Sequence, residues 1–181
     1  MMKYSIGNFD DVRNELINGW KNIDPRFIFP TPEGHNITGY SLEDNFDTNF
    51  PNTQKVINEI RNGDKTYHLR LFIYPPKTRT TFHKDIPEYR YVLPIVSNDL
   101  CLNYEITSDK TEQELTTPDF FKIDTIDDLE NFNTKFLNDG NKIYKMRENF
   151  SNLIGPNSHA HLNFGEEIRI VIVFDYKNKL F

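Results

Sequence analysis

Residues 158–176, SHAHLNFGEEIRIVIVFDY, decide how this chain is read, together with residues 80–96, TTFHKDIPEYRYVLPIV. The first stretch carries His159 and, ten residues on, Arg169 at the head of the apolar run IVIVF, which reads as a buried strand. The second carries His83 and Asp85. Residues two apart on an extended strand point to the same side, so His83 and Asp85 can reach one ion. Two imidazoles and one carboxylate on one face of a metal, with three positions left open, are the donor set of non-haem Fe(II) oxygenases. The third donor must come from elsewhere in the chain. His159 and His161 share one face of an extended segment, and either can supply it. Arg169, Val171 and Val173 share a face, with Ile170, Ile172 and Phe174 on the other. A guanidinium among such neighbours needs an anionic partner, and its planar fork suits a carboxylate.

His-x-Asp alone is a weak motif, and the residues around it supply the context. The segment from His159 through Asn163 to Arg169, followed by IVIVFDY, resembles the C-terminal signature of the aspartyl/asparaginyl β-hydroxylase-like family of 2-oxoglutarate- and Fe(II)-dependent dioxygenases. The piece His83-Lys-Asp85, followed by Arg90-Tyr-Val-Leu-Pro-Ile and Ser97-Asn98, is similar to the metal motif and next strand of that family. The resemblance covers roughly residues 67–106 and 142–176. It implies a mainly β fold, a double-stranded β-helix (jelly-roll, cupin-like barrel), here with N-terminal helices packed outside. It implies His83, Asp85 and His159 as metal ligands and catalytic centre, His159 being preferred to His161 because the Asn163 and Arg169 offsets run from it. Arg169 would take the distal carboxylate of 2-oxoglutarate, and Arg90 would lie near the cosubstrate or substrate. The implied activity is hydroxylation of an amino-acid side chain (Asp, Asn or Pro type, free or in a peptide), with 2-oxoglutarate converted to succinate and CO2. The turn before the metal motif departs from the family: relatives usually have a glycine where this chain has Pro75-Pro76-Lys77. The alternative reading is a non-catalytic, cupin-like metal-binding or structural jelly roll.

Composition sets the outer bounds. At 181 residues the chain fits one domain spanning 1–181, with an N-terminal region to residue 66, a barrel over 67–181 and a variable insert at 108–141. A net charge of −6 argues against a nucleic-acid partner, because phosphate contacts need a basic face. The single cysteine, Cys101, excludes an internal disulfide and fits a reducing, cytoplasmic compartment. No secretory h-region or membrane-length apolar run is visible, so no membrane partner is expected.

Away from the motifs, Phe9, Val12, Leu16, Ile17 and Trp20 fall at helical spacing, and so do Val56, Ile57 and Ile60 within 53–62. Residues 67–74, YHLRLFIY, read as a strand with His68, Arg70, Phe72 and Tyr74 on one face. His68 is expected to be half-exposed, while Arg70 or Tyr74 can face the barrel lumen near the cosubstrate. Two further strands are expected at 90–96 and 100–107, joined by a polar turn, with Pro94 marking an edge or irregularity. His35, in the loop sequence PEGHNITG, is expected to be solvated. The acidic insert, with a short helix over 126–137, is expected to be a solvated excursion, the other possibility being a lid on the pocket.

Overall fold

The computed structural model describes residues 9–31, 35–42, 46, 48–61, 66–84, 89–107, 110–138, 142–147 and 158–176. Asp85 lies outside the described residues, and only the backbone of Arg90 lies within them. The chain opens with helix α1 (Phe9–Gly19), short 3-10 turns, strands β1 (Ile28–Phe29) and β2 (Thr38–Ser41), and helix α2 (Pro51–Arg61). Strands β3 (Thr66–Tyr74), β4 (Thr78–Arg79), β5 (Tyr89–Val96) and β6 (Cys101–Thr107) follow, then helices α3 (Glu112–Leu115) and α4 (Ile126–Asn138). Strands β7 (Lys142–Arg147), β8 (Ser158–Asn163) and β9 (Arg169–Tyr176) close the described chain.

Two antiparallel sheets result, one in the order β1-β2-β3-β9-β5 and the other β4-β8-β6-β7. The architecture is the jelly-roll, cupin-like barrel expected from the sequence. The β-branched run of β9 lies inside the larger sheet, between β3 and the edge strand β5. Strands β5 and β6 belong to different sheets, so the polar turn at Ser97-Asn98 carries the chain across the barrel rather than closing a hairpin. Pro94 sits on the edge strand at a register shift between Pro94 and Val96, as a residue without an N–H requires.

Alternation sends apolar side chains outward on both sheets. Leu69, Leu71 and Ile73 of β3 join Ile170, Ile172 and Phe174 of β9 under Val12 and Leu16 of α1 and Val56 and Ile57 of α2. The two helices are tied by Glu15. Its carboxylate accepts from the backbone N–H groups of Asn52 (2.9 Å) and Thr53 (2.7 Å), satisfying first-turn donors of α2 that no residue of that helix reaches.

The other outer face corrects the expectation for the insert. Leu102, Tyr104, Ile106, Ala160 and Leu162 are covered by Leu115, Phe120, Ile123, Leu129 and Phe132. Leu115, Phe120 and Leu129 are completely buried. The insert is neither a solvated excursion nor a lid; it is the second outer layer of the barrel, with its carboxylates on the solvent side. Both of its helices begin with a reciprocal cap. Thr111 and Glu114 exchange bonds at the start of α3, and Thr125 and Asp128 do so at the start of α4. The Tyr104 hydroxyl, its pKa pushed up by burial, donates to Asn133 and pins α4 to β6.

Candidate metal centre

With the two larger apolar clusters turned outward, the inner faces take polar residues along β6 and β8 and a smaller apolar group, Tyr74, Val92, Val171 and Val173, on the other sheet. Along β8, His159, His161 and Asn163 alternate with Ser158, Ala160 and Leu162, and all six are buried. Opposite them on β6 lie Glu105, facing His159, and Asn103, facing His161. Across the barrel, β3 and β9 contribute Arg70, Phe72 and Tyr74, and Arg169, Val171, Val173 and Asp175.

His83 reaches this interior through a bulge. Strand β4 pairs Arg79 with Leu162, and an isolated bridge pairs His83 with His159. Three residues separate Arg79 from His83, but only two separate Leu162 from His159, so the first chain carries one extra residue. Regular alternation would have placed Phe82 opposite His159. The bulge turns Phe82 outward into the core beneath the insert and sets His83 opposite His159 instead. The N–H of Phe82 is taken by the Thr116 hydroxyl of the insert at 3.0 Å. The insert therefore supports the backbone that presents His83. The regular strand expected around His83 is absent at this point.

His83, His159 and His161 converge. One ring nitrogen from each can be chosen so that all lie within 4.8 Å of one another, the spacing of donors around a single ion. Ring centroids are 4.3 Å apart for His83 and His159, 5.4 Å for His159 and His161, and 6.0 Å for His83 and His161. Two of the tautomers follow from hydrogen bonds. His83 Nδ1 is 2.8 Å from the Thr81 carbonyl, which only accepts, so Nδ1 carries the proton and Nε2 is the basic nitrogen. His161 Nδ1 is 2.7 Å from Asn103 Oδ1, and the same oxygen accepts from Arg169 Nη2 at 2.6 Å. An arginine only donates, which identifies that atom as the amide oxygen, so His161 too keeps its proton on Nδ1 and presents Nε2. Such orienting partners are what metal-bound imidazoles require. The donor set suits a divalent transition metal.

Arg169 is wholly buried. Burial lowers its pKa, and Tyr74 and Cys101 act in the opposite direction. Its guanidinium lies 4.6 Å from the centre of the Tyr74 ring. Beside the histidines is a cavity of about 180 Å³ whose walls include His83, His161, Thr80, Arg70 and Tyr74. Arg169 does not line it; Tyr74 stands between. Both residues named for the lumen from the alternation of β3, Arg70 and Tyr74, are there. His68 is exposed. Arg90 pairs with Asp175 in the β5–β9 register.

Three residues emerge only in three dimensions. His35, expected to be solvated, is half-buried in the cavity wall, with its ring 5.2 Å from His83 and its Nε2 2.6 Å from the Thr81 hydroxyl. Nothing in its loop sequence announces this. Asn103 and Glu105 occupy the inward positions of β6, and alternation with Leu102, Tyr104 and Ile106 was their one legible signal. Asn163, which marked the family spacing, has a structural task. Its Nδ2 donates to the carbonyls of Pro75 (3.0 Å) and Glu167 (2.9 Å), and its Oδ1 accepts from Gly165 N–H (3.0 Å), clamping the β8–β9 turn to the end of β3.

No family model matches the chain, and no curated protein matches it. Among solved structures, it is similar to a Pseudomonas putida prolyl-4-hydroxylase, with 10% identity and a TM-score of 0.51 over 96% of this chain and 89% of that one. Weaker likenesses include the Drosophila melanogaster CENP-C cupin domain (6% identity, TM-score 0.43, 93% of this chain and 98% of that one). A recombinant oxalate oxidase in complex with glycolate gives 12% identity and a TM-score of 0.41 over 83% of this chain, which spans 56% of the length of that one. The prolyl-4-hydroxylase likeness bears on fold alone, and agrees with the barrel built above from sheet order and alternation.

Proposed function

We propose that this chain is an Fe(II)- and 2-oxoglutarate-dependent dioxygenase of the aspartyl/asparaginyl β-hydroxylase-like kind, hydroxylating an amino-acid side chain. The observation that carries the reading is the convergence of three imidazoles, two buried and one half-buried, beside a cavity in a jelly-roll interior. Of the available donors, His83 and His159 are assigned as ligands, with Asp85 as the carboxylate. His161 stands as the neighbouring donor, close enough to replace or supplement one of them. The ion, when bound with the keto acid, supplies oxidative decarboxylation and the oxidising power for C–H hydroxylation.

The protein's own residues orient and exclude. Thr81 and Asn103 fix the imidazole tautomers. Arg169 takes the distal carboxylate of the keto acid, and for this Tyr74 must turn aside, because its ring covers the guanidinium. Arg90, beside Asp175 in the register, is assigned to the same end of the reaction space as the substrate. The fold-level likeness to a prolyl-4-hydroxylase is in keeping with this assignment. Incubation of the purified chain with Fe(II), ascorbate and 2-oxoglutarate is expected to form succinate, and His83→Ala and Asp85→Ala to abolish it. Unchanged succinate formation in Asp85→Ala would overturn the ligand assignment. No succinate from the wild-type chain would favour a non-catalytic metal-binding jelly roll.

A further inference from the structure

The inner face of the β3–β9 pair holds two arginines, not one. Arg169 lies opposite Tyr74 in the register, and Arg70 lies opposite Val173. Arg70 and Tyr74 are four residues apart on one strand face, about 13 Å of backbone. The two guanidinium groups therefore serve different ends of the barrel interior. Their surroundings differ as well. Arg169 is sealed behind Tyr74, whereas Arg70 lines the cavity and is the one permanently charged residue among the described residues that do so.

Arg70 is held from two sides. Its guanidinium carbon lies 4.1 Å from the centre of the Phe29 ring, and its Nη1 is 4.0 Å from Asp175 Oδ2. Stacking occupies the face of the guanidinium, while its hydrogen bonds are made in the plane. The side chain of Arg70 is 18% exposed and that of Asp175 only 1%, so a molecule entering the cavity meets the cation and not its counter-ion. The rest of this wall is apolar: Phe29, Pro30, Ile37, Phe72 and Val173. Gly39 permits it, since a Cβ there would come within 2.9 Å of the Phe72 ring.

From this arrangement we propose that Arg70 reads the α-carboxylate of the substrate, and that the substrate is a free amino acid with an apolar side chain, of which a 3-arylpropanoate is the simplest mimic. The body lies against the apolar wall of Ile37, Phe72 and Val173, and the end remote from the carboxylate points toward His83 and His161. The inference rests on the reading of this cavity as the substrate site of the oxygenase.

Calorimetric titration of the full-length chain with 3-phenylpropanoate and with its neutral amide tests it, first under chelator and then with Co(II). The acid is expected to bind at least tenfold more tightly than the amide with or without metal, the range for a hydrogen-bonded charge. Arg70→Gln should bring the acid to the level of the amide, while Lys122→Gln, on the exposed outer layer, leaves the difference intact. Arg70→Lys serves if the glutamine variant does not fold, with the preference reduced several-fold. Equal binding of acid and amide, no binding of either, a preference that survives Arg70→Gln, or one that appears only with Co(II) would each overturn the proposal. Failure of succinate formation with the acid preference intact would sink the oxygenase reading and leave Arg70 only as the carboxylate-binding group of the cavity.

Discussion

Strands β6 and β8 show two regions of the molecule built on the same backbone. Outward they carry Leu102, Tyr104, Ile106, Ala160 and Leu162, packed beneath the insert. Inward they carry Asn103, Glu105, His159, His161 and Asn163, all nearly inaccessible. In an ordinary sandwich the space between the sheets is the apolar core. Here most of that core is divided between the two outer faces, one under α1 and α2 and one under the insert, and only a smaller apolar cluster of Tyr74, Val92, Val171 and Val173 stays inside. Stability and chemistry are thereby assigned to opposite sides of each strand, which frees the interior for groups that would destabilise a conventional core. The arrangement also means that changes on one side should leave the other largely intact.

The largest effect expected from breaking the outer side comes from Phe120→Ala. Phe120 is completely buried against Phe82 and Phe132, with centroid distances of 4.7 and 5.7 Å. Loss of its ring should cost about 3–5 kcal/mol in a denaturant melt. Metal affinity in the fraction that stays folded should fall only modestly, through Phe82 beside His83, and a loss as large as that of His83→Ala would show that the two sides are not separable. On the inner side, Asn103→Leu should lower metal affinity by about ten- to hundredfold, by releasing His161 from its tautomer and orientation. Asn103→Asp, which keeps an acceptor, should recover most of it, a rescue that simple loss of packing would not give.

The other outer face gives a smaller effect. Glu15→Ala removes the acceptor for the α2 N-terminus and should cost about 1–3 kcal/mol, read in the same melt, with no change in metal binding. The smallest effect distinguishes the two outer layers by pH. Glu114 is held below its ordinary 4.5 chiefly by the backbone N–H of Thr111, and Asp128 below 3.8 chiefly by the Thr125 hydroxyl. A depressed folded-state value contributes stability that is complete above the ordinary value and is lost as pH falls through the depressed one. Amide protection, taken relative to intrinsic exchange rates, should therefore fall in α3 below about pH 4.5 and in α4 below about pH 3.8, and Glu114→Gln with Asp128→Asn should remove that dependence. An acid response unchanged in the double variant would place it elsewhere.

Much of this division was legible in the chain. Helical spacing in 9–20 and 53–62 found Val12, Leu16, Val56 and Ile57 in the core but also included Ile17, which is exposed; the alternation of YHLRLFIY and RIVIVF separated outward from inward residues, and the irregularity at Pro94 followed from its missing N–H. What could not be read was a displacement of one residue. The bulge between Arg79 and His83 depends on pairing with β8 and on an acceptor from Thr116, both distant in sequence, so it leaves no local periodicity. His35 is in the same position, a loop residue whose place is set by the Thr81 hydroxyl. The insert was misread because its acidic composition suggests solvation, while Leu115, Phe120 and Leu129 are too sparse to dominate it. The spacings Thr111-x-x-Glu114 and Thr125-x-x-Asp128 were the available sign that ordered helices begin there. At the turn Pro75-Pro76-Lys77, Lys77 adopts the left-handed φ of 55° and its Nζ donates to the Phe164 carbonyl at 2.6 Å. Here a tertiary bond offsets a local conformational cost of about 1–2 kcal/mol.

The most direct test of the central claim is an anaerobic titration of the metal-free chain with Fe(II) and 2-oxoglutarate, followed by the weak visible charge-transfer band of the chelated keto acid. The account predicts a band that saturates at one ion per chain, is lost in His83→Ala and His159→Ala, and survives in Phe120→Ala wherever that variant is folded. A band retained in His159→Ala but lost in His161→Ala would move the ligand two residues along β8. Absence of the band in the wild-type chain would contradict the account.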